Sequence, residues 1–518
     1  MKQVKTLALL LALMLLVSGI AMGGATNELP ISDGSITLSV ATGDNYYAAN
    51  SYADNLPVWQ IIEEATGVKI DWQVTEPSQY DAVMRVRIAA NVDMPDLFQV
   101  PGNMPLGDLS DQGIALVLDD YVAQYAPNWT AAIEAHPLLR TLSCDPSGNM
   151  VVSQVYKDGQ NANLRVPIVR KDWLDKLNLE IPTTLDEYYN CLKAIVEGDP
   201  NGNGVADEVG MMCNNWKDFF VFITAFGLPS RVVDTGFYPD ENGKMTYVYT
   251  GNEMRDTLAF LNKLYAEKLI DQDFVTSTRD IVESTYPKNI VGFGWQAPGV
   301  DIRWDGFVRS AGVEDVNHVQ INPPVDESGK TGFYKDNPIS SRCAISANTK
   351  IPEIAVRWLD YVQYSPEGTL HTTWGVEGTS YELVDGKPVL TEWALKNPDG
   401  LDINSAVRSL GAFHTFFNIE PLAFMEGKLQ GKTVEALKVL QPNALDPVLL
   451  VPETPEESEA VAAVSTDINT FVDEMLQKFI IGSEPLSNWD SFVEKVNSMG
   501  VNVMIDTMQA RYDRTYGQ

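Results

Sequence analysis

Histidine and cysteine are scarce, with four of each in 518 residues. Cys144, Cys191, Cys213 and Cys343 stand far apart and form no CxxC pair or zinc spacing. Four cysteines allow three disulfide pairings, and nothing in the sequence chooses among them or against free thiols. No metal or redox role is expected of them, and His136, His318, His371 and His414 show no ligand spacing either. Basic residues are also few, 37 Lys and Arg against 70 Asp and Glu, for a formal charge of −33. A surface this negative repels nucleic acid and anionic lipid and keeps a protein soluble, without naming a ligand. GxSxG, HExxH and P-loop signatures are missing. With so many acids, no carboxylate pair stands in a recognisable glycosidase context. Catalysis therefore finds no support, and an enzyme is not expected.

Long apolar runs are limited to one, residues 7–17 (LALLLALMLLV), preceded by Lys2 and Lys5 and followed by the small residues Ser18, Gly19, Ala21, Gly23, Gly24 and Ala25. A charged, then apolar, then small-residue order marks a secretory signal, and the run is shorter than the ~20 residues that span a bilayer. Residues 1–25 are expected to be removed after export, with cleavage following Gly23 or Ala25. Losing Lys2 and Lys5 and no acid deepens the charge from −33 to −35. No Cys lies in or just after the run, so no thiol is there for a lipid anchor.

At 518 residues the chain exceeds the ~250–300 at which single cores stop growing, so at least two lobes are expected. Residues 35–41 (SITLSVA), 68–74, 95–100, 164–169, 209–213 and 291–295 read as strands. Amphipathic helices fall between them at 58–66, 79–91, 171–177 and 252–268, and after Thr183 or Thr184 as an N-cap. Such alternation predicts an α/β protein with parallel-rich sheets. Lobe 1 is assigned to 35–151 and 286–338, and lobe 2 to 152–285 and 339–518 with a helical C-terminal third. Several crossings without a long linker make a hinge. Ligands of such sheets bind beyond the strands' carboxyl ends, so the loops 43–55 and 99–103 are the places to look.

The most specific local motif is Asp199-Pro-Asn201-Gly-Asn203-Gly204-Val205-Ala-Asp207-Glu208. Oxygen side chains at loop positions 1, 3 and 5, a Gly at 6 and a carbonyl at 7 are how an EF-hand-type loop encloses Ca²⁺. Gly210 occupies the place of the usual closing Glu, so Asp207 and Glu208 are expected to close the shell. The expectation is one structural calcium held by Asp199, Asn201, Asn203, Asp207, Glu208 and the Val205 carbonyl.

Several stretches together resemble the extracellular solute-binding proteins of bacterial carbohydrate ABC importers, in the large lipoprotein-like branch. They are VRKDWLDKL at 169–177 with IPTTLDE at 181–187, the calcium loop, AVRWLDY at 355–361 with SPEG at 365–368, WGVEG at 374–378 with DGKP at 385–388, and PLSNWD at 485–490. The resemblance implies a type II periplasmic-binding-protein fold, two α/β lobes closing over a sugar, and delivery to a membrane permease. Most such proteins carry a lipidated Cys after the leader; this chain departs from them there.

Sugar recognition needs flat apolar faces for pyranose C–H groups and planar polar groups for hydroxyls. Candidates at expected strand ends are Asp44, Asn45, Tyr46, Tyr47 and Tyr52, then Gln99, Asn215 with Trp216, Trp295 with Gln296, and Trp374 with Glu377. Arg342 could fork onto hydroxyls or an acidic sugar, and His414, in the aromatic run 413–417, is a further candidate for the cleft. Trp173, Trp358 and Trp489 lie on amphipathic helices and are assigned to packing. The resulting expectation is a monomeric, extracytoplasmic oligosaccharide carrier. A surface lectin, binding shallowly and rigidly, is its main rival.

Overall fold

A computed structural model describes residues 28–517 except 46–48, 103, 157–163, 336, 402 and most of 415–431. The signal segment, Tyr46 and Tyr47 lie outside the described residues. Nine strands build two principal sheets: β1 (Ile36–Gly43), β2 (Val68–Thr75), β3 (Leu97–Gln99), β4 (Ser153–Tyr156), β5 (Val166–Arg170), β6 (Val209–Met211), β7 (Val291–Gln296), β8 (His318–Gln320) and β9 (Ile339–Ile345). The first sheet runs β2-β1-β3-β9-β4 and the second β8-β5-β7-β6. In the first, β1 is parallel to β2 and β3, while β9 lies antiparallel between β3 and β4. In the second, β6 and β7 are parallel and β5 is antiparallel to both of its neighbours.

Local chemistry sets the element ends. Gly67 closes the helix Pro57–Thr66 at φ 67°, where a Cβ would stand 1.8 Å from the Ser32 carbonyl, so only glycine fits. The helix Leu185–Gly198 starts with a capping box in which Thr184 and Glu187 satisfy each other's N–H groups. The same device, Thr454 with Glu457, starts the longest helix, Pro455–Ile481.

The lobe boundaries differ from the sequence-based assignment. Val291–Gln296 pairs with β5 and β6, so 286–320 belongs to lobe 2, and β9 returns to lobe 1. Residues 339–440 pack largely on lobe 1, whereas the helices Pro455–Ile481, Trp489–Ser498 and Val501–Tyr516 pack on lobe 2 through Ile468, Val472, Phe479, Phe492 and Met504. Strand pairing is long-range, so a strand's local pattern does not say which sheet receives it. Gly294 shows why β7 fits where it does: a Cβ there would meet Trp304 at 2.4 Å, and Trp304 stacks on Tyr286 in the core of lobe 2. The chain thus passes between lobes three times, between β4 and β5, between β8 and β9, and between Leu440 and Pro455.

Lobe 1 is centred on aromatic packing. Trp59 stacks on Trp358 with centroids 6.4 Å apart, and Tyr52, Trp72, His414 and Phe417 close around them. Trp173, Trp358 and Trp489 are buried, as expected of packing residues. All four cysteines are buried free thiols. Burial pushes Cys144 and Cys191 up to about 11, and Cys213 and Cys343 rise for the same reason, so none is poised to react. Among the described residues no helix is long and apolar enough to cross a membrane.

Candidate functional site

The carboxyl ends of β3 and β4 and the first half of β9 meet at a groove facing lobe 2. Gln99 ends β3 and accepts from the Thr42 hydroxyl at 3.3 Å. Gln154, on β4, donates to the Leu142 carbonyl at 2.7 Å. From β9, Arg342 donates to the carbonyls of Met104 at 2.8 Å and Pro101 at 3.1 Å, which fixes the fork of its guanidinium. Asp81, from the helix Pro77–Ala90, accepts the Gly102 N–H at 2.9 Å. The opposite wall is the crossing segment Leu450, Pro452 and Glu453 together with Arg511, whose guanidinium donates to the Val451 carbonyl at 2.8 Å and pairs with Glu453 at 3.2 Å.

These residues enclose a cavity of about 720 Å³. A second cavity of about 510 Å³ shares Leu142, Asn337, Leu450 and Arg511 with it and continues along lobe 2 past Arg231, Asp234, Phe237 and Tyr334. Each is in the range of ligand sites, and together they form one trough between the lobes, beyond the strand ends where open α/β sheets bind. Burial pulls the Arg342 and Arg511 guanidiniums below their ordinary range, yet arginine stays charged in proteins.

Of the residues proposed from sequence, the trough gathers Gln99 and Arg342. Asp44 instead organises its own turn, accepting the N–H groups of Asn45 and Tyr52 at 2.7 and 3.0 Å. Asn45 is buried and donates to the Arg408 carbonyl. Tyr52 lies in the lobe 1 core against Trp72 and His414. His414 is there too, and burial alone pulls it down to about 3, so it is a neutral core residue. Trp295 and Trp374 are also corrections: the first is enclosed in the core of lobe 2, and the second packs edge-on against Phe424 in lobe 1. A strand buried on both faces has no solvent side, so its terminal aromatic turns inward. Asn215 caps the 3₁₀ helix Trp216–Phe226, Trp216 leans on Phe220, Gln296 accepts the Ala297 N–H, and Glu377 is exposed; none of the four lines the trough. Sequence reasoning missed Asp81, Gln154, Glu453 and Arg511, which sit within ordinary helix, strand and linker patterns and meet only through the fold.

In the loop 199–208, Asp199 takes φ 49° and accepts the N–H groups of Gly202 and Asn203 on one oxygen and of Gly204 on the other. Asn201 and Asn203 accept the N–H groups of Asn203 and Val205, and both amides reach Asp207 at 3.2 Å. Glu208 is buried, and neither of its carboxylate oxygens meets a hydrogen-bond partner of ordinary geometry among the described residues. Burial, with Asp207 and Asp199 adding to it, raises that carboxyl above the usual range. The described residues hold no group of three or more His, Cys, Asp and Glu arranged for a metal. The oxygens here come in part from asparagine and backbone, and a buried acid reached only weakly by the Asn201 and Glu208 backbone N–H groups suits a cation.

The structure thus has two α/β lobes joined by three crossings with a polar trough between them. Residues 45–368 match the family model described as bacterial extracellular solute-binding protein, and the chain belongs to that family. The fructooligosaccharide ABC transporter substrate-binding protein FusA of Streptococcus pneumoniae serotype 4 is 23% identical over 482 residues, covering 88% of this chain and 86% of FusA. The polygalacturonan/rhamnogalacturonan-binding protein YtcQ of Bacillus subtilis is 22% identical over 350 residues, 67% of each chain. Among solved structures, calcium-free alginate-binding protein AlgQ2 superposes with a TM-score of 0.76 at 23% identity, covering 94% of this chain and 100% of that one. The type II periplasmic-binding fold expected from sequence is the fold observed.

One acid of lobe 2 shows how far enclosure shifts a group. Asp218, two residues after Trp216, is pushed up to about 7, mainly by burial; Arg165 opposes the shift and Asp234 adds to it. A carboxyl raised above its unfolded value of ~3.9 costs no stability below that value and progressively more as pH climbs through the folded one. Asp218→Asn should therefore raise the melting temperature above pH 7, with the gain shrinking toward pH 4. A gain independent of pH, or a loss, contradicts this reading.

Proposed function

We propose that the protein captures an oligosaccharide in the interlobe trough outside the cytoplasm and hands it, unaltered, to the membrane permease of an ABC importer. The observation that carries this reading is the trough itself. Planar amide and guanidinium groups from Gln99, Gln154, Arg342 and Arg511 line it beside Asp81 and Glu453, and they come from both lobes and a crossing segment. A buried hydroxyl without a partner costs roughly 1–3 kcal/mol, so a sugar is held well only where such groups surround it. A ligand touching both lobes favours the closed form, which a permease can distinguish from the open one. The names of FusA, YtcQ and AlgQ2 point the same way. Function as a monomer, secretion by the N-terminal signal and the absence of turnover belong to this proposal. In a thermal-shift screen against neutral and acidic oligosaccharides, a ligand at 100 times its Kd is expected to stabilise the protein by about 2.7 kcal/mol. No shift with any glycan contradicts oligosaccharide capture.

The loop 199–208 belongs to the same proposal as a structural Ca²⁺ site. Asp199, Asn201, Asn203, Asp207, Glu208 and the Val205 carbonyl supply hard oxygen ligands, and the buried Glu208 carboxylate, which no donor meets in ordinary hydrogen-bond geometry, supports the assignment. FusA, a fold relative with a TM-score of 0.71 at 20% identity, has been crystallised as an EF-hand mutant. Calcium binds the folded loop only, so chelation should lower the melting temperature, and Glu208→Gln should remove most of that calcium dependence. An unchanged melting temperature on chelation rules the ion out.

A further inference from the structure

In a chain with 70 acids and 37 Lys and Arg, the trough comes close to charge balance. Its charged lining comprises Arg231, Lys335, Arg342 and Arg511 against Asp81, Asp234 and Glu453. Three of the cations have carboxylate partners: Arg231 with Asp234 at 2.9 Å, Lys335 with Asp446 at 2.5 Å, and Arg511 with Glu453 at 3.2 Å. Arg342 differs. Among the described residues its guanidinium meets the carbonyls of Met104 and Pro101 and no carboxylate within salt-bridge reach. Asp81 acts on it only at longer range and turns an oxygen to the Gly102 N–H instead. Arg85, whose guanidinium donates to the Gly102 carbonyl, adds positive charge on the same side.

A half-buried guanidinium without a counter-ion is costly unless a ligand supplies one. We infer that the trough selects an acidic oligosaccharide, with one sugar carboxylate seated on Arg342. This rests on the proposed oligosaccharide capture and gives it a substrate class. The two carbonyls occupy part of the five-donor fork and hold its plane, leaving N–H groups for a planar carboxylate. With the Asp81 carboxylate also in the lining, a singly charged uronate meets less repulsion there than a doubly charged phosphate ester would. Neighbouring amides, Gln99 and Gln154, are placed to take ring hydroxyls.

The test is calorimetric titration of the protein with short oligosaccharides of galacturonate, mannuronate–guluronate and glucuronate, each beside its methyl ester, and with neutral oligosaccharides of the same length. The expected result is that one acidic form binds and its ester, with the same rings and linkage, binds on the order of tenfold to a hundredfold more weakly. Arg342→Gln should weaken the acid far more than the ester and so close most of the gap between the two, with circular dichroism confirming a folded variant. The ester comparison on the unaltered protein decides the matter even if that variant misfolds. Equal affinity for acid and ester, or binding of neutral oligosaccharides alone, overturns the carboxylate inference and leaves oligosaccharide capture standing. If no oligosaccharide binds, the capture proposal fails and this inference with it.

Discussion

The architecture depends on one strand placed between two others. Ile339–Ile345 leaves lobe 2, enters the sheet of lobe 1 antiparallel to both neighbours, and sets Cys343 opposite Gln99 on one side and Ser153 on the other. Because the strand closes that sheet from beyond lobe 2, the lobes cannot separate as independent units. The Val100 N–H donates to the Arg342 carbonyl at 2.8 Å, so the backbone that completes the sheet also sets the register of the arginine in the trough. Pairing across some 240 residues of sequence is what makes the trough a shared surface.

Much of the local architecture is legible in the sequence. The expected strand 35–41 falls on β1 from Ile36 onward and 68–74 lies within β2, Gly67 and Thr184 end and begin their helices, and the Asn-Gly-rich loop 199–208 folds round its own side chains. Each is decided by residues a few positions apart, through periodicity, φ preference or capping. Lobe membership was not legible, since β7 and β9 join sheets whose other strands lie far away in sequence. The aromatic candidates failed for a related reason. Tyr52, Trp295 and Trp374 stand near strand ends or turns, as ligand-contacting residues do, but what an aromatic side chain faces depends on the helices packed over it. Gln99, at the end of β3, and Arg342, in the middle of β9, are the two candidates that line the trough.

Charge ties the sequence to the trough. A strongly acidic exterior favours solubility outside the cell and by itself opposes anionic ligands. Within the trough the exterior's sign is largely cancelled pair by pair, and among the described residues Arg342 has no carboxylate within salt-bridge reach. Enclosure strengthens each of these interactions, because charges shielded from water are screened less. The loop 199–208 lies on lobe 2 beside β6 and contributes nothing to the trough's described lining.

The central claim is that ligand draws two lobes together across the trough. Small-angle X-ray scattering of the protein, with and without a saturating oligosaccharide identified by titration, tests it most directly. The account predicts a smaller radius of gyration with ligand and no change in molecular mass. Binding that leaves the radius of gyration unchanged would contradict it, and would place the ligand on a rigid surface rather than between closing lobes.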